Sequence, residues 1–263
     1  MTQQEALPSA QRVLITGATS GIGLAIAGAF AAGGARVAVN AETPDDTGAL
    51  AQLASAPAAG PHVYVQADVS TADGARQAVS RAAELMGGLD TLVCNAGGFF
   101  DTDFAELDEA AVDRTFALNV KGCLFAAQAF AAMQAPGQEG ASIVLIGSTN
   151  SLAAELGSVA YDASKGAVLM LVRSLAVSLA AQGIRVNGVG PGLVETRLTR
   201  PALARPGVHE EITRQIPLGR ISQPADIGEA VRFLASPGAG YITGQMLYVD
   251  GGILAQQMTR SAG

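Results

Sequence analysis

Short, continuously apolar runs alternate along this chain with alanine-rich stretches of helical length. The runs cover residues 13–15, 36–39, 62–65, 91–94, 142–146, 185–189 and 246–249. A strand that is apolar at every position, rather than at every second one, is covered on both faces, as in a parallel sheet. The stretches between them, residues 22–32, 47–55, 71–86, 108–135, 158–182 and 225–235, are predicted helices. Ser70 and Asp73 have capping-box spacing before the third of these, and Pro224 suits the first turn of the last. Strand and helix alternating almost to the end predict an α/β fold: a doubly wound, seven-stranded parallel sheet with helices on both faces.

No linker or repeat divides the 263 residues, so a single domain is expected over residues 12–263, preceded by a flexible N-terminus, residues 1–11. That start is polar and lacks the pattern of a secretory leader. Residues 193–223, rich in Arg and Pro, interrupt the alternation and are expected to form a lid-like insertion.

A net charge of −7 argues against nucleic acid or an anionic membrane as partner. Residues 15–35 are uncharged but broken by glycines, which suits a strand, turn and helix rather than a membrane span. Cys94 and Cys123 lack metal-ligand spacing and are expected to be buried, reduced thiols of a cytoplasmic protein. His62 and His209 have no nearby Cys or His, so no metal site is expected.

Thr16-Gly17-Ala18-Thr19-Ser20-Gly21-Ile22-Gly23 follows the first strand directly and opens the first helix. Glycines there let the chain turn tightly and let a pyrophosphate approach bare N–H groups at a helix N-terminus. Glu42 lies about 20 residues on, where a carboxylate could accept hydrogen bonds from the adenosine ribose. Tyr161 and Lys165 are one helical turn apart on one face. A phenol titrates near 10, and a neighbouring ammonium is expected to lower it into the range useful for proton transfer to and from an alcohol.

With these motifs in order, the chain resembles a short-chain dehydrogenase/reductase over nearly its whole length, from Val13 to Gly252. The resemblance also rests on Asp68-Val69, Asn95-Ala96-Gly97, Asn119, Ser148, Pro191-Gly192 with Thr196, and Val249-Asp250-Gly251-Gly252. It implies a Rossmann fold and an oxidoreductase that moves a hydride between NAD(P) and a secondary alcohol or ketone. By the same resemblance, Ser148 would hold the substrate oxygen and Tyr161 would exchange its proton. Lys165 would bind the nicotinamide ribose and Asn119 would position a relay water. Gly17, Thr19, Ser20, Gly21, Ile22 and Gly23 would hold the pyrophosphate, and Asp68 and Val69 the adenine. Asn95, Ala96 and Gly97 would line the adenosine-side ribose, with Pro191, Gly192 and Thr196 at the nicotinamide. A homo-tetramer (or dimer) pairing the long fourth and fifth helices is implied as well.

Members that prefer NAD usually carry Asp where Ala41 aligns, whereas those that prefer NADP place Arg or Lys near Ser20 or Glu42. With no cation there and Glu42, Asp45 and Asp46 nearby, NAD is the expected cofactor ahead of NADP. Cys94 stands where Asn is more usual, and a packing change is expected.

For the small-molecule substrate, Phe99 and Phe100 could form an apolar wall, while Thr149, Asn150, Ser151 and Glu155 could hydrogen-bond a sugar or polyol. Arg197, Arg200, Arg205, Arg214 and Arg220 are expected to be solvated or paired with Glu210 and Glu211. A small polar hydroxy compound is favoured over a 3-oxoacyl thioester. A non-catalytic dinucleotide sensor would be expected to lose one of Asn119, Ser148, Tyr161 or Lys165, and all four are present. Epimerases and dehydratases with a related Tyr/Lys site are typically longer.

Overall fold

The computed structural model describes residues 11–45, 48–58, 60–135 and 140–256. Seven strands, β1 (Arg12–Ile15), β2 (Arg36–Ala41), β3 (Val63–Gln66), β4 (Thr91–Cys94), β5 (Ser142–Ile146), β6 (Arg185–Pro191) and β7 (Met246–Val249), form one sheet in the order β3-β2-β1-β4-β5-β6-β7. Every neighbouring pair is parallel. Helices α1 (Gly21–Ala32), α2 (Ala49–Leu53), α3 (Ala72–Met86), α4 (Glu109–Phe116), α5 (Gly122–Met133), α6 (Val159–Leu179), α7 (Arg200–Leu203), α8 (Val208–Gln215) and α9 (Pro224–Ala235) connect them.

The unbroken apolar runs resolve into two cores, one on each face of the sheet. Val13, Ile15, Val37, Val39, Val144 and Val189 pack with Ile26 and Phe30 of α1 and Ile227, Val231 and Leu234 of α9. Their strand neighbours Leu14, Ala38, Leu92, Ile143 and Leu145 point the other way, onto Val79 of α3, Phe130 of α5 and Val168 and Val172 of α6. The period-two geometry of a strand thus sends successive apolar residues into different layers. Phe130 is 0% exposed in the second layer. Phe130→Ala should cost about 3–5 kcal/mol, read as a lowered urea midpoint with unchanged slope. A midpoint within experimental scatter of wild type would contradict this packing.

Local expectations fare unevenly. The N-cap of α3 is Thr71, whose hydroxyl accepts from Gly74 N, rather than Ser70. Ser70 N is taken by the Asp68 carboxylate at 2.9 Å, and that turn places Thr71 at the cap. Pro224 does open α9, where Gln223 and Asp226 form a reciprocal capping box. The single helix expected over residues 108–135 is interrupted by a π-turn at Ala117–Lys121 between α4 and α5. Glu109–Met133 and Val159–Gln182 are long and apolar enough to cross a membrane by length and composition alone. Here they lay Phe130, Val168 and Val172 against the sheet.

Of the expected flexible start, residues 1–10 lie outside the described residues. Gln11 is anchored, its side-chain amide donating to Thr91 Oγ1 at 2.6 Å and to the Ala235 carbonyl at 3.2 Å. The insertion at 193–223 holds α7 and α8 over a small apolar cluster of Leu203, Ile216 and Ile221. Its base is pinned by Glu195 N to Ser222 O (2.8 Å) and Ser222 N to Leu193 O (3.2 Å). Its arginines pair with Glu195 (Arg200, 3.4 Å) and Asp226 (Arg220, 2.7 Å). Arg214 reaches the Glu210 backbone carbonyl rather than its carboxylate.

Candidate active site

The predicted site residues gather at the C-terminal ends of the strands, where ligands bind in open α/β sheets and where the strand order reverses between β1 and β4. The glycine-rich turn leaves β1 and enters α1 without a side-chain cap on the helix, and no acidic residue lies in its first turn. Its leading N–H groups are therefore open to an anion. Gly17 has φ +62°, and a Cβ on it would lie 2.8 Å from Ala96 Cα. A Cβ on Gly23 would lie 2.3 Å from the Gly17 carbonyl oxygen and 2.5 Å from Asn95 Nδ2. This bare, uncapped turn fits a dinucleotide pyrophosphate, with Thr19, Ser20, Gly21 and Ile22 on its rim.

The end of β4 braces that turn. Asn95 Nδ2 donates to the carbonyls of Thr16 and Gly17, both at 2.9 Å. Thr16 Oγ1 accepts from Asn95 N and Ala96 N, both at 3.0 Å. The amide of Asn95 is thus spent on holding the turn. On the far side of Gly97, Asn119 sits in the π-turn and is buried. Its Oδ1 accepts from Gly98 N (2.9 Å), and its Nδ2 donates to Gly98 O and Ser164 Oγ, both at 3.0 Å. Gly122 just beyond has room for no Cβ, since one would lie 2.3 Å from the Val69 carbonyl. The π-turn lets the helix pass Val69 closely while Asn119 faces the loop after β4, a use of such bulges common at functional sites.

Ser148 follows β5, and Tyr161 and Lys165 lie on the first two turns of α6. Lys165 is buried and its Nζ donates to the Ile146 carbonyl at 3.0 Å. Loss of water lowers its pKa to about 8, opposed by nearby Cys123. Burial pushes the Tyr161 phenol above its ordinary value, a hydrogen bond with Ser148 pulls it down, and Glu155 and Asp162 add to the rise. The net shift is therefore upward, against the lowering expected from Lys165. Its Nζ lies 5.5 Å from the ring centroid and is turned to Ile146, so desolvation prevails.

Phe99 stands at the site, its ring centroid 5.4 Å from that of Tyr161 and its surface 47% exposed. Phe100 instead turns under Gly98 and beneath the Arg114 guanidinium. Asn150 is occupied internally: its Oδ1 accepts from Ser148 Oγ at 2.8 Å, and its Nδ2 donates to Asp162 at 2.6 Å and to Glu155 at 3.3 Å. Its expected place at the substrate thus becomes a place behind Ser148. Three residues not expected from the sequence also join the site: Asp101, Asp162 and Ser164. Asp101 accepts from the N–H groups of Ala160 and Tyr161, and Ser164 Oγ donates to the Tyr161 carbonyl at 2.7 Å. For Ser164 alone the sequence carries a local signal, its Tyr-x-x-Ser spacing from Tyr161.

Of the remaining positions, Thr196 lies by the glycine turn, its Cγ2 3.6 Å from where a Cβ on Gly21 would be. Pro191 ends β6, and Gly192 N bonds the Val249 carbonyl beside Asp250. Val69 is buried and Asp68 exposed just past β3. Ala41 closes β2 with Glu42 exposed after it; Asp46 lies outside the described residues. Cys94 and Cys123 are buried and free, with Cys123 Sγ 3.3 Å from the Asn119 carbonyl. No cluster suited to a metal occurs among the described residues.

A family model described as Enoyl-(Acyl carrier protein) reductase matches residues 17–254. The chain belongs to the short-chain dehydrogenase/reductase family. It is 34% identical over 243 residues to glucose 1-dehydrogenase of Gluconobacter oxydans, covering 92% of this chain and 91% of that one. It is 40% identical over 242 residues to galactitol 2-dehydrogenase (L-tagatose-forming) of Cereibacter sphaeroides, covering 90% and 92%. A short chain dehydrogenase from Burkholderia cenocepacia, solved in complex with NADP, superposes with a TM-score of 0.83 at 33% identity, covering 94% and 98%. The protein is an NAD(P)-dependent oxidoreductase acting on CH–OH and C=O groups.

Proposed function

We propose that the protein interconverts a secondary alcohol and a ketone on a small polyhydroxylated compound, a sugar or polyol, with Tyr161 as the proton-transfer group. The observation that carries this reading is the set of contacts that joins Tyr161 to Ser148 and, through Ser164, to Asn119, with Asn119 and Lys165 both converging on Gly97. The relatives named for glucose and galactitol support the substrate class. When bound, the nicotinamide cofactor supplies or accepts the hydride. Ser148 holds the substrate oxygen, Tyr161 gives it a proton or takes one, and Lys165 with Asn119 holds the cofactor side and the proton path. Asn150 and Asp162 set the direction of the Ser148 hydroxyl.

NAD is the proposed cofactor ahead of NADP, because Glu42 at the end of β2 would repel a 2′-phosphate. Initial rates with each cofactor should give a higher kcat/KM for NAD, and Glu42→Arg should narrow the gap. A wild-type preference for NADP would refute the assignment. A second reading, a 3-oxoacyl thioester substrate, draws on the exposed Phe99, Leu152 and Leu156 in the loops flanking Tyr161. A spectrophotometric panel of sugars, polyols, hydroxy acids and acyl thioester ketones separates the two.

A homo-tetramer is proposed as well. The apolar groove lined by Leu124, Ala127, Ala131, Leu175 and Leu179, with Met170 and Val177 exposed on α6, offers a face that subunit pairing would cover. A cytoplasmic setting suits the two unbridged, buried cysteines.

A further inference from the structure

We infer that Asp101 is a positioning residue for the reaction, fixing Tyr161 from a loop 60 residues away; this rests on the proton-transfer reading above. The first turn of α6 lacks a cap of its own, since the Ser158 side chain makes no capping hydrogen bond. Asp101 supplies the missing acceptor. Its Oδ2 accepts from Ala160 N at 2.8 Å, and Oδ1 and Oδ2 accept from Tyr161 N at 3.2 and 3.3 Å. A carboxylate at a helix N-terminus satisfies orphan donors and complements the helix dipole.

The placement does more than cap a helix. The backbone N–H of Tyr161 is held by Asp101, and its carbonyl is held by Ser164, which in turn accepts from Asn119. Asn119 also grips Gly98 at both its N–H and its carbonyl. The short segment from Gly98 to Asp101 is therefore tied at one end to Asn119 and at the other to Tyr161, and between the ties it carries Phe99 against the Tyr161 ring. Asp101 closes a loop of contacts that sets the phenol relative to Ser148, to the residues after β4 and to the apolar wall. Neither backbone N–H donates to any other side chain among the described residues, so removal of Asp101 frees the first turn to shift.

The test compares wild type, Asp101→Ala, Asp101→Asn, Asp103→Ala and Tyr161→Phe, using the sugar or polyol that wild type oxidises fastest. Asp101→Ala should lower kcat at least about tenfold, since small misplacements of a reacting group are costly, while the cofactor Kd stays within about twofold. Asp101→Asn keeps one carbonyl acceptor and should recover part of the loss. Asp103→Ala, in the same loop without a capping contact, should behave as wild type. Hydrogen exchange of the peptide spanning residues 158–165 should quicken in Asp101→Ala. Wild-type kcat in Asp101→Ala beside an inactive Tyr161→Phe overturns the inference alone. So does a loss that is equal in Ala and Asn and tracks melting temperature or cofactor Kd. Full activity in Tyr161→Phe overturns the proton-transfer reading, and the role of Asp101 with it.

Discussion

Tyr161→Phe should lower kcat by about two to four orders of magnitude, the usual worth of a positioned general acid or base, with cofactor affinity and melting temperature close to wild type. The substitution removes one hydroxyl and leaves the ring that packs against Phe99. The wild-type phenol adds a pH signature. Burial, helped by Glu155 and Asp162, holds its pKa above the ordinary tyrosine value, so near neutral pH it is a proton donor. A group with a raised pKa gives up its proton only as pH climbs toward that value. Alcohol oxidation, which needs the phenolate as acceptor, should therefore accelerate through the alkaline range, while carbonyl reduction proceeds from neutral pH downward. Parallel kcat profiles in the two directions for wild type and Tyr161→Phe check this. Oxidation that falls steadily from pH 7 to 10, or a mutant that keeps half its rate, would remove Tyr161 from the proton path.

That chemistry was legible in the chain only where it is written locally. Tyr161 and Lys165 share a helix face because of their spacing, and the turn from Thr16 to Gly23 declares itself by following one apolar run and preceding another. The sheet was legible for a similar reason: Val13, Leu14 and Ile15 are all apolar, and only a strand buried on both faces accommodates that. Contacts made across the fold left no such mark. Nothing near Asp101 in sequence announces that it will meet Ala160 and Tyr161, because the encounter depends on how the ends of β4 and β5 are juxtaposed. Asn150 looked like a substrate contact because it stands between Ser148 and Tyr161, yet Asp162, twelve residues on, claims its amide.

The state of Lys165 was hidden for a different reason. Its spacing from Tyr161 is local, but its pKa is lowered by burial against the opposing pull of Cys123, and its Nζ is turned to the Ile146 carbonyl, all products of tertiary packing. An ammonium near Tyr161 was a sound expectation from the helix alone; its desolvation and its turn toward Ile146 were not. The π-turn is similar. It stands where Gly122 passes close to Val69, two residues that only the folded sheet brings together.

Gly23→Ala should abolish measurable cofactor binding and lower the melting temperature, although it adds a single methyl group. The new Cβ would lie 2.3 Å from the Gly17 carbonyl oxygen, 2.5 Å from Asn95 Nδ2 and 2.8 Å from Ala18 Cα. Two of those neighbours are backbone, so no rotamer change relieves the clash, and the turn or the helix must move. Overpacking of this kind costs about 1–3 kcal/mol or more. The larger consequence is for binding. The shift would break the hydrogen bonds from Asn95 to Thr16 and Gly17 that shape the turn, and would turn the leading N–H groups of α1 away from a common point. A site whose worth lies in converging backbone donors loses most of its affinity when they diverge, so at least a hundredfold rise in cofactor Kd is expected by calorimetry. Gly28→Ala is the matched comparison. It lies on the same helix, a Cβ there would meet nothing within 4 Å, and replacing an interior helix glycine should leave binding intact and add up to about 1 kcal/mol. If the two variants bound cofactor equally well, the glycine turn would not be where the pyrophosphate sits.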